Sequence, residues 1–216
     1  MSRRDNAAHR CHGCRLHRTL CMCALIPRIA TRTRLLLIMH RFEDRKATNT
    51  GRLATQCLSN SAVLVRGHAG SPSEPLYFGA DTRPLLLFPH DGALPLPSFD
   101  DGPPVTLIVP DGNWRQASRV RKRVPGLEHI PCVALPATKP SRYQLRAEVR
   151  EHGLATCEAI ARAFGILEGP QVEIAIERAF AAMVERTLWA RGQLARHQLT
   201  SALAEHVQRH DPRARQ

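Results

Sequence analysis

Four cysteines crowded near the start of the chain constrain its folding more than any other sequence feature. They follow the pattern Cys11-x2-Cys14-x6-Cys21-x-Cys23. Two close thiolate pairs on so short a segment can fold around one ion, and four thiolates suit tetrahedral zinc. Because a reducing cytosol favours metal binding over disulfides, we predict a zinc site formed by these four cysteines.

Two alternatives to this zinc site stay open at the level of sequence. An iron–sulfur cluster also takes four thiolates, although the C-x2-C-x2-C run of ferredoxins is absent. One of His9, His12 and His17 could replace a thiolate, although four sulfurs already complete the shell. Because a closed shell leaves no open position for a substrate, we expect the metal to fold the N-terminus. Three further cysteines are predicted to be buried thiols: Cys57, Cys132 and Cys157.

The charge of the chain indicates its partners. Its 216 residues carry 31 Lys and Arg against 19 Asp and Glu, a formal charge of +12. This excess favours nucleic acid, although part of it could be the solvated surface of an arginine-rich composition. A signal-peptide h-region is absent, and so is any apolar run near the roughly 18 residues that a membrane span needs. We therefore expect one main domain in a cytoplasmic protein with no membrane partner.

Short apolar runs alternate with helical patterns, which predicts an open α/β fold. Strands are predicted at 34–40, 62–65, 85–88, 105–109 and 132–135. Helices are predicted after the capping residue Asn49 and over 114–124, 155–165 and 172–190. Segments 67–76 and 89–104 are rich in Gly, Pro, Ser and Asp, so they are predicted to be surface connections.

The loop Asp111-Gly112-Asn113-Trp114 carries the strongest sign of chemistry. It falls where a buried strand is predicted to end and a helix to begin, the crevice position at which open α/β sheets bind ligands. A carboxylate there could act as a base. The alternative is that Asp111 or Asn113 only caps the helix while Trp114 fills the core.

Together with the cysteines, this loop resembles the DTW-domain family, the tRNA-uridine aminocarboxypropyltransferases, whose name comes from an Asp-x-Thr-Trp signature. The matching segments are 11–23, 29–35, His40-Arg-Phe-Glu43, 49–53, 86–89, the Asp111 loop and 154–159, in family order. Asn113 stands where the family has Thr. That departure bears on a loop contact rather than on Asp111.

The resemblance implies a SPOUT-like α/β domain, with an open, mainly parallel sheet and a C-terminal knot, preceded by a small N-terminal zinc knuckle. We expect a zinc-binding segment over 1–30, the catalytic domain over 31–200 and a basic tail over 201–216. The resemblance also implies S-adenosylmethionine as co-substrate. Its 3-amino-3-carboxypropyl group would pass to N3 of a tRNA uridine, with release of methylthioadenosine.

The same resemblance gives candidate roles to individual residues. Asp111 is the candidate base, or it attracts the sulfonium charge, and Trp114 could stack on the target base or on adenine. Arg142 or Arg146 could pair with the donor carboxylate. The donor pocket is expected at Phe88, Pro89, Gly112, Leu135, Tyr143, Arg146 and Thr156.

A basic stretch follows the Asp111 loop. Nine basic residues and two acidic ones lie between Trp114 and Arg150. We expect part of it to follow the tRNA backbone, although such a face is often only solvated. The predicted RNA-binding residues are Arg115, Arg119, Lys122, Arg123, Lys139 and Arg142. His40 and Glu43 also match the family, but a helix cap or a strand-end hydrogen bond would explain them equally.

Two other functions stay open. A SPOUT-type RNA methyltransferase would share the fold and the co-substrate but would attack the methyl carbon. A non-catalytic zinc-knuckle RNA-binding protein would share only the charge and the metal. The sequence does not determine the oligomeric state, and we favour a monomer.

Overall fold

A six-stranded parallel sheet forms the centre of the chain. The computed structural model describes residues 7–68, 74–99, 101–136, 141, 143, 145 and 153–201. The strands are β1 (Arg34–His40), β2 (Ser61–Arg66), β3 (Arg83–Leu87), β4 (Leu94–Pro95), β5 (Val105–Asp111) and β6 (Cys132–Ala134). Their order is β2-β1-β5-β3-β6-β4, and every neighbouring pair is parallel. The prediction of an open, mainly parallel α/β sheet is confirmed.

The interior strands are formed by the continuous apolar runs. All seven residues of β5 are buried, as expected for a strand covered on both faces of a parallel sheet. Each of the five predicted strands is present, with ends that shift by up to two residues. The C-terminal knot that the resemblance implies stays a prediction, since residues 137–140, 142, 144 and 146–152 lie outside the described residues.

Helices cover the sheet. They are α1 (Arg41–Asp44), α2 (Thr50–Cys57), α3 (Trp114–Ala117), α4 (Val120–Arg123), α5 (Thr156–Glu168) and α6 (Pro170–Ala190). The side chain of Asn49 caps α2 by accepting a hydrogen bond of 2.7 Å from the Arg52 N–H, as predicted. Gly169 has a φ of 109° between α5 and α6, a conformation that favours glycine, and Pro170 begins the next helix. In the described part of the chain, no helix has both the length and the apolarity for a membrane span.

The prediction of one helix over 114–124 is wrong. The segment forms two short helices, α3 and α4, separated by a turn. The carbonyl of Gln116 accepts a hydrogen bond of 2.8 Å from Nη2 of Arg66, at the end of β2. This contact occupies a carbonyl that a continuous helix would offer to its own backbone. A contact from another strand cannot be anticipated from the periodicity of the segment.

The connection 89–104 is also more structured than predicted. It contains β4 and a short 3₁₀ helix, Leu96–Phe99, in which Leu96 is fully buried. Leu96 belongs to the main core cluster and Phe99 packs against it, although most of their neighbours are polar or Pro. The alternation of apolar and other residues in this connection is too short to predict a strand or a helix.

The N-terminal segment joins the main core. Leu16 and Met22 are 3% and 1% exposed and belong to the same apolar cluster as β1, β5 and α5. The cysteine loop therefore packs directly on the α/β domain.

Candidate functional site

The carboxyl ends of β1 and β5 form the topological switch point of the sheet. The chain leaves β1 for β2 on one side, and it leaves β5 for β6 on the other. Asp111 is the last residue of β5 and pairs in register with Met39 of β1. The crevice between two such strand ends is where open α/β sheets bind ligands.

Asp111 joins three elements at this point. Its side chain is buried at 6% exposure. One carboxylate oxygen accepts a hydrogen bond of 2.6 Å from Nδ2 of Asn49, and the other accepts one of 2.6 Å from Oγ1 of Thr156. Asn49 is the cap of α2 and Thr156 is the first residue of α5. We call Asn49, Asp111 and Thr156 the Asp111 cluster.

Asn113 is the residue that caps α3. Its Oδ1 accepts a hydrogen bond of 2.9 Å from the Gln116 N–H, and Oε1 of Gln116 accepts one of 2.9 Å from the Asn113 N–H. This reciprocal capping box identifies Asn113 as the cap of α3. Asn113 therefore has a structural role as the helix cap, at the position where the family has Thr.

Trp114 does not fill the core. Its side chain is 48% exposed, and its ring lies 4.8 Å from the ring of Phe88. The alternative that Trp114 fills the core is therefore wrong. Stacking on a base stays a prediction.

Gly51 allows α2 to approach Asp111 closely. A methyl group at this position would lie 3.1 Å from Cγ of Asp111 and 3.1 Å from both Cδ atoms of Leu37. Leu37 is fully buried and Asp111 is held by two hydrogen bonds, so neither can withdraw easily. The glycine in the matching segment 49–53 is explained by this contact.

We expect Gly51→Ala to lower the free energy of unfolding by about 1–3 kcal/mol, in spite of the better helix propensity of Ala, because the core is overpacked. Urea denaturation measures the change. Gly79→Ala is the matched control, since no atom lies within 4 Å of the added methyl, and it should stay within about 0.5 kcal/mol of wild type. Equal stability of the two variants would contradict the close packing at Asp111.

Glu158 is a buried carboxylate that the sequence analysis did not select. It is 4% exposed, and its Oε2 accepts hydrogen bonds of 2.6 Å from Oγ of Ser141 and 2.8 Å from the Ala155 N–H. The first turn of α5 thus contacts Asp111 through Thr156 and contacts Ser141 through Glu158. A Glu three residues after a helix start is a capping-box signal that could have identified it.

The predicted donor-pocket residues that the structure describes lie at one end of the sheet. Phe88 and Pro89 follow β3, Gly112 follows β5, and Leu135 follows β6. The carboxyl ends of parallel strands share one edge, so these residues face the same region as Thr156. Tyr143 is buried, with its ring 5.7 Å from that of Phe180. Arg146 lies outside the described residues, and the pocket itself stays a prediction.

A second feature at this edge is an open cleft of about 280 Å³. It is lined by His40, Phe42, Arg66, Asn113, Arg115, Gln116, Arg119 and Arg123. Three of the predicted RNA-binding arginines therefore come together here. Lys122 is exposed on α4 outside this lining, and Lys139 and Arg142 lie outside the described residues.

His40 is held as a hydrogen-bond acceptor at the rim of the cleft. Its Nδ1 lies 3.3 Å from the Phe42 N–H donor and 3.2 Å from Nε2 of Gln116. Burial lowers the pKa of His40, and the positive charges of Arg66 and Arg41 lower it further. The lowered pKa favours the neutral imidazole, and an Nδ1 that accepts these two hydrogen bonds leaves the ring proton on Nε2. The bond from the Phe42 N–H makes His40 the cap of α1, so the helix cap considered from the sequence is present.

The four N-terminal cysteines converge on one point. Their Sγ atoms all lie within 4.8 Å of one another, with Sγ–Sγ distances of 3.5 Å for Cys11–Cys23, 3.5 Å for Cys11–Cys21 and 3.9 Å for Cys14–Cys21. A tetrahedron with Zn–S bonds of about 2.3 Å has edges of about 3.8 Å. The donor set and its spacing fit a tetrahedral metal ion.

Hydrogen bonds favour a thiolate at Cys11 of this cluster, whereas burial raises the pKa of Cys14 and raises that of Cys23 to about 12. Burial raises the pKa of Cys11, but hydrogen bonds from the Cys14 N–H and from the neighbouring thiols outweigh burial and lower it to about 7. A methyl group on Gly13 would lie 2.7 Å from Sγ of Cys23, so the turn requires glycine. A ready thiolate is the form that a metal binds.

The cysteine loop is fixed to the domain by contacts from several elements. Arg186 of α6 is 2% exposed and donates through Nη1 to the carbonyls of Cys21 and, at 3.4 Å, Leu20. Nε2 of Gln56 donates to the Gly13 carbonyl at 2.6 Å. Folding of the loop and of the domain is therefore coupled.

The fold and these sites define a class: an open parallel α/β domain with a polar cluster at its switch point and a four-cysteine loop packed against it. The chain belongs to the DTW domain family, which it matches over residues 8–188. It is 25% identical over 171 residues to tRNA-uridine aminocarboxypropyltransferase 2 of Drosophila melanogaster, covering 76% of this chain and 68% of that protein.

Two further relatives are similar at the same level. Identity is 29% over 167 residues to tRNA-uridine aminocarboxypropyltransferase 2 of Macaca fascicularis, covering 73% of this chain and 56% of that protein. It is 27% over 215 residues to tRNA-uridine aminocarboxypropyltransferase A of Arabidopsis thaliana, covering 81% and 79%. The chain thus spans little more than half of the macaque protein. No solved structure matches it.

Proposed function

We propose that this protein is a tRNA-uridine aminocarboxypropyltransferase, which transfers the 3-amino-3-carboxypropyl group of S-adenosylmethionine to N3 of a tRNA uridine and releases methylthioadenosine. The observation that carries the proposal is the Asp111 cluster at the switch point of a DTW-family domain. The names of the relatives in fly, macaque and Arabidopsis support the substrate and the reaction.

The chemistry requires a base and a fixed donor. Uridine N3 loses its proton and attacks the carbon of the donor chain next to sulfur, while the carbon–sulfur bond breaks and its electrons neutralise the sulfonium. Hydrogen bonds from Asn49 and Thr156 hold the Asp111 carboxylate at the switch point of the sheet, the position at which such sheets bind ligands. Asp111 is therefore suited to accept the N3 proton, or to attract the sulfonium charge.

Asn49 and Thr156 position that carboxylate. Their donors come from the N-cap of α2 and the first residue of α5, and they hold the carboxylate between the two helices. A carboxylate already oriented loses little freedom when a substrate arrives. Phe88, Pro89, Gly112, Leu135, Tyr143, Arg146 and Thr156 are proposed to surround the donor, and Trp114 is proposed to stack on a base or on adenine.

Zinc is the metal that we propose for the cysteine cluster. Four thiolates at tetrahedral spacing suit zinc, and a closed shell gives it a structural task. Segment 1–30 would then be a zinc-binding part of a domain that extends over 31–200, with a basic tail over 201–216. A monomer in the cytoplasm stays our expectation.

Two labels on the donor test the reaction. Incubation of the protein with unmodified tRNA and S-adenosylmethionine labelled in the carboxyl group should place the label in tRNA. The same donor labelled in the methyl group should leave the label in methylthioadenosine. Methyl label in tRNA would instead identify a methyltransferase, and tRNA binding without either label would identify a non-catalytic RNA-binding protein.

A further inference from the structure

The cleft beside the Asp111 cluster concentrates positive charge from separate elements. Arg66 ends β2, Arg115 lies in α3, Arg119 lies in the turn before α4, and Arg123 ends α4. No carboxylate lines the cleft among the described residues. The three ion pairs in the described ranges involve Arg15, Lys46 and Arg52 instead. The charge of the cleft is therefore not neutralised by the described part of the chain.

Arg66 is the buried member of this group. Its side chain is 8% exposed, Nη2 donates to the Gln116 carbonyl at 2.8 Å, and Nε has no hydrogen-bond partner in the described part of the chain. Burial lowers the pKa of Arg66, and the charge of Arg123 lowers it further. A buried cation beside a second cation is costly unless an anion compensates it.

We infer that this arginine cleft, formed by Arg66, Arg115, Arg119 and Arg123 with His40, binds a backbone phosphate of the substrate RNA beside the target nucleotide. The inference rests on the proposed function for the identity of the RNA. S-adenosylmethionine has no phosphate group, so the donor does not account for a phosphate site. Forked guanidinium groups suit phosphate geometry, and the neutral His40 can add an Nε2–H donor.

The position of the cleft fits this task. His40 directly follows Met39, which pairs with Asp111, so the cleft begins at the strand next to the Asp111 cluster. Phe42 is 51% exposed, lies 5.1 Å from the His40 ring and packs under Arg41 at 4.6 Å. An exposed aromatic ring beside a phosphate site is a common platform for an unstacked base. A phosphate held here would fix a nucleotide next to the proposed base.

The test compares two arginines that differ in location alone. Arg123→Gln should weaken binding of an unmodified tRNA transcript about tenfold, which corresponds to one lost charge-assisted hydrogen bond. It should also reduce the slope of log affinity against log salt concentration by about 1. Arg178→Gln is the matched control, because Arg178 is exposed on α6 outside the cleft. It should change tRNA affinity less than about twofold.

Two further measurements separate the outcomes. Arg123 is exposed, so Arg123→Gln should fold, and the loss of repulsion with Arg66 should leave its melting temperature equal or higher. Its affinity for S-adenosylmethionine should be unchanged. Equal loss of tRNA binding in the Arg178→Gln control, or weaker binding of S-adenosylmethionine to Arg123→Gln, would overturn the phosphate site.

Failure of this inference can be distinguished from failure of the proposed reaction. If wild-type protein transfers no label but Arg123→Gln binds tRNA more weakly than wild type, the proposed reaction is wrong and the phosphate site is supported. If wild-type protein transfers the label and Arg123→Gln binds tRNA as tightly as wild type, the phosphate site is wrong and the proposed reaction is supported.

Discussion

The Asp111→Asn variant should transfer the aminocarboxypropyl group at least about 100-fold more slowly than wild type in single-turnover assays with saturating tRNA. The substitution keeps the size of the side chain but removes the negative charge and the basic oxygen. It also places an amide where Asn49 and Thr156 both donate, so one donor loses its acceptor. Binding of tRNA should change little, because the arginines that we propose to bind RNA lie in the neighbouring cleft.

Thr156→Val serves as the matched comparison. Val is similar in size to Thr. The variant therefore keeps the Asp111 carboxylate and loses only the hydrogen bond that Oγ1 of Thr156 donates to it. The rate should fall less than in Asp111→Asn, because the carboxylate keeps its charge, its basic oxygens and the hydrogen bond from Asn49. A wild-type rate for Asp111→Asn would exclude Asp111 as the base. An equal loss in both variants would show that positioning outweighs proton transfer.

Loss of one cysteine ligand should have the second large effect. Cys21→Ser should purify without the single metal ion expected per wild-type chain, and its free energy of unfolding should fall by about 3 kcal/mol. The reason is that Cys21 lies 3.5 Å and 3.9 Å from two other sulfurs of the cluster, so its thiolate would be a ligand of the metal. Elemental analysis and urea denaturation measure the two changes.

Cys132→Ser controls for the loss of a buried thiol, because Cys132 lies in β6 away from the cluster. It should keep the full metal content. Wild-type protein that is metal-free, folded and active would contradict the metal site. Metal retained by Cys21→Ser would instead indicate that another residue, such as a nearby histidine, completes the shell.

Much of the fold could be predicted because its signals are local. The apolar run of β5, the capping side chain of Asn49 and the cysteine spacing each act within a few residues, so the sequence alone identifies them. The division of 114–124 into α3 and α4 could not be predicted. It accompanies a hydrogen bond from Arg66, which is 50 residues away along the chain.

The candidate site shows the same limit. The sequence selects Asp111 by its place after a buried strand, but it does not bring Asn49 or Thr156 to that carboxylate. Those contacts depend on the register of β1 with β5 and on the packing of two helix starts. Glu158 was missed because a carboxylate early in a helix is usually a solvated residue, and only tertiary packing buries it.

The shared carboxylate of the Asp111 cluster has a consequence for the behaviour of the protein under heat. The Asp111 side chain joins the starts of α2 and α5 to the end of β5, so the region that we propose to carry out the reaction also connects three elements of the fold. Partial loosening of either helix would release the carboxylate before the rest of the sheet opens. On warming, loss of activity should therefore coincide with, or slightly precede, the melting of these two helices. A folded but inactive form that keeps the hydrogen bonds of the Asp111 cluster should not accumulate.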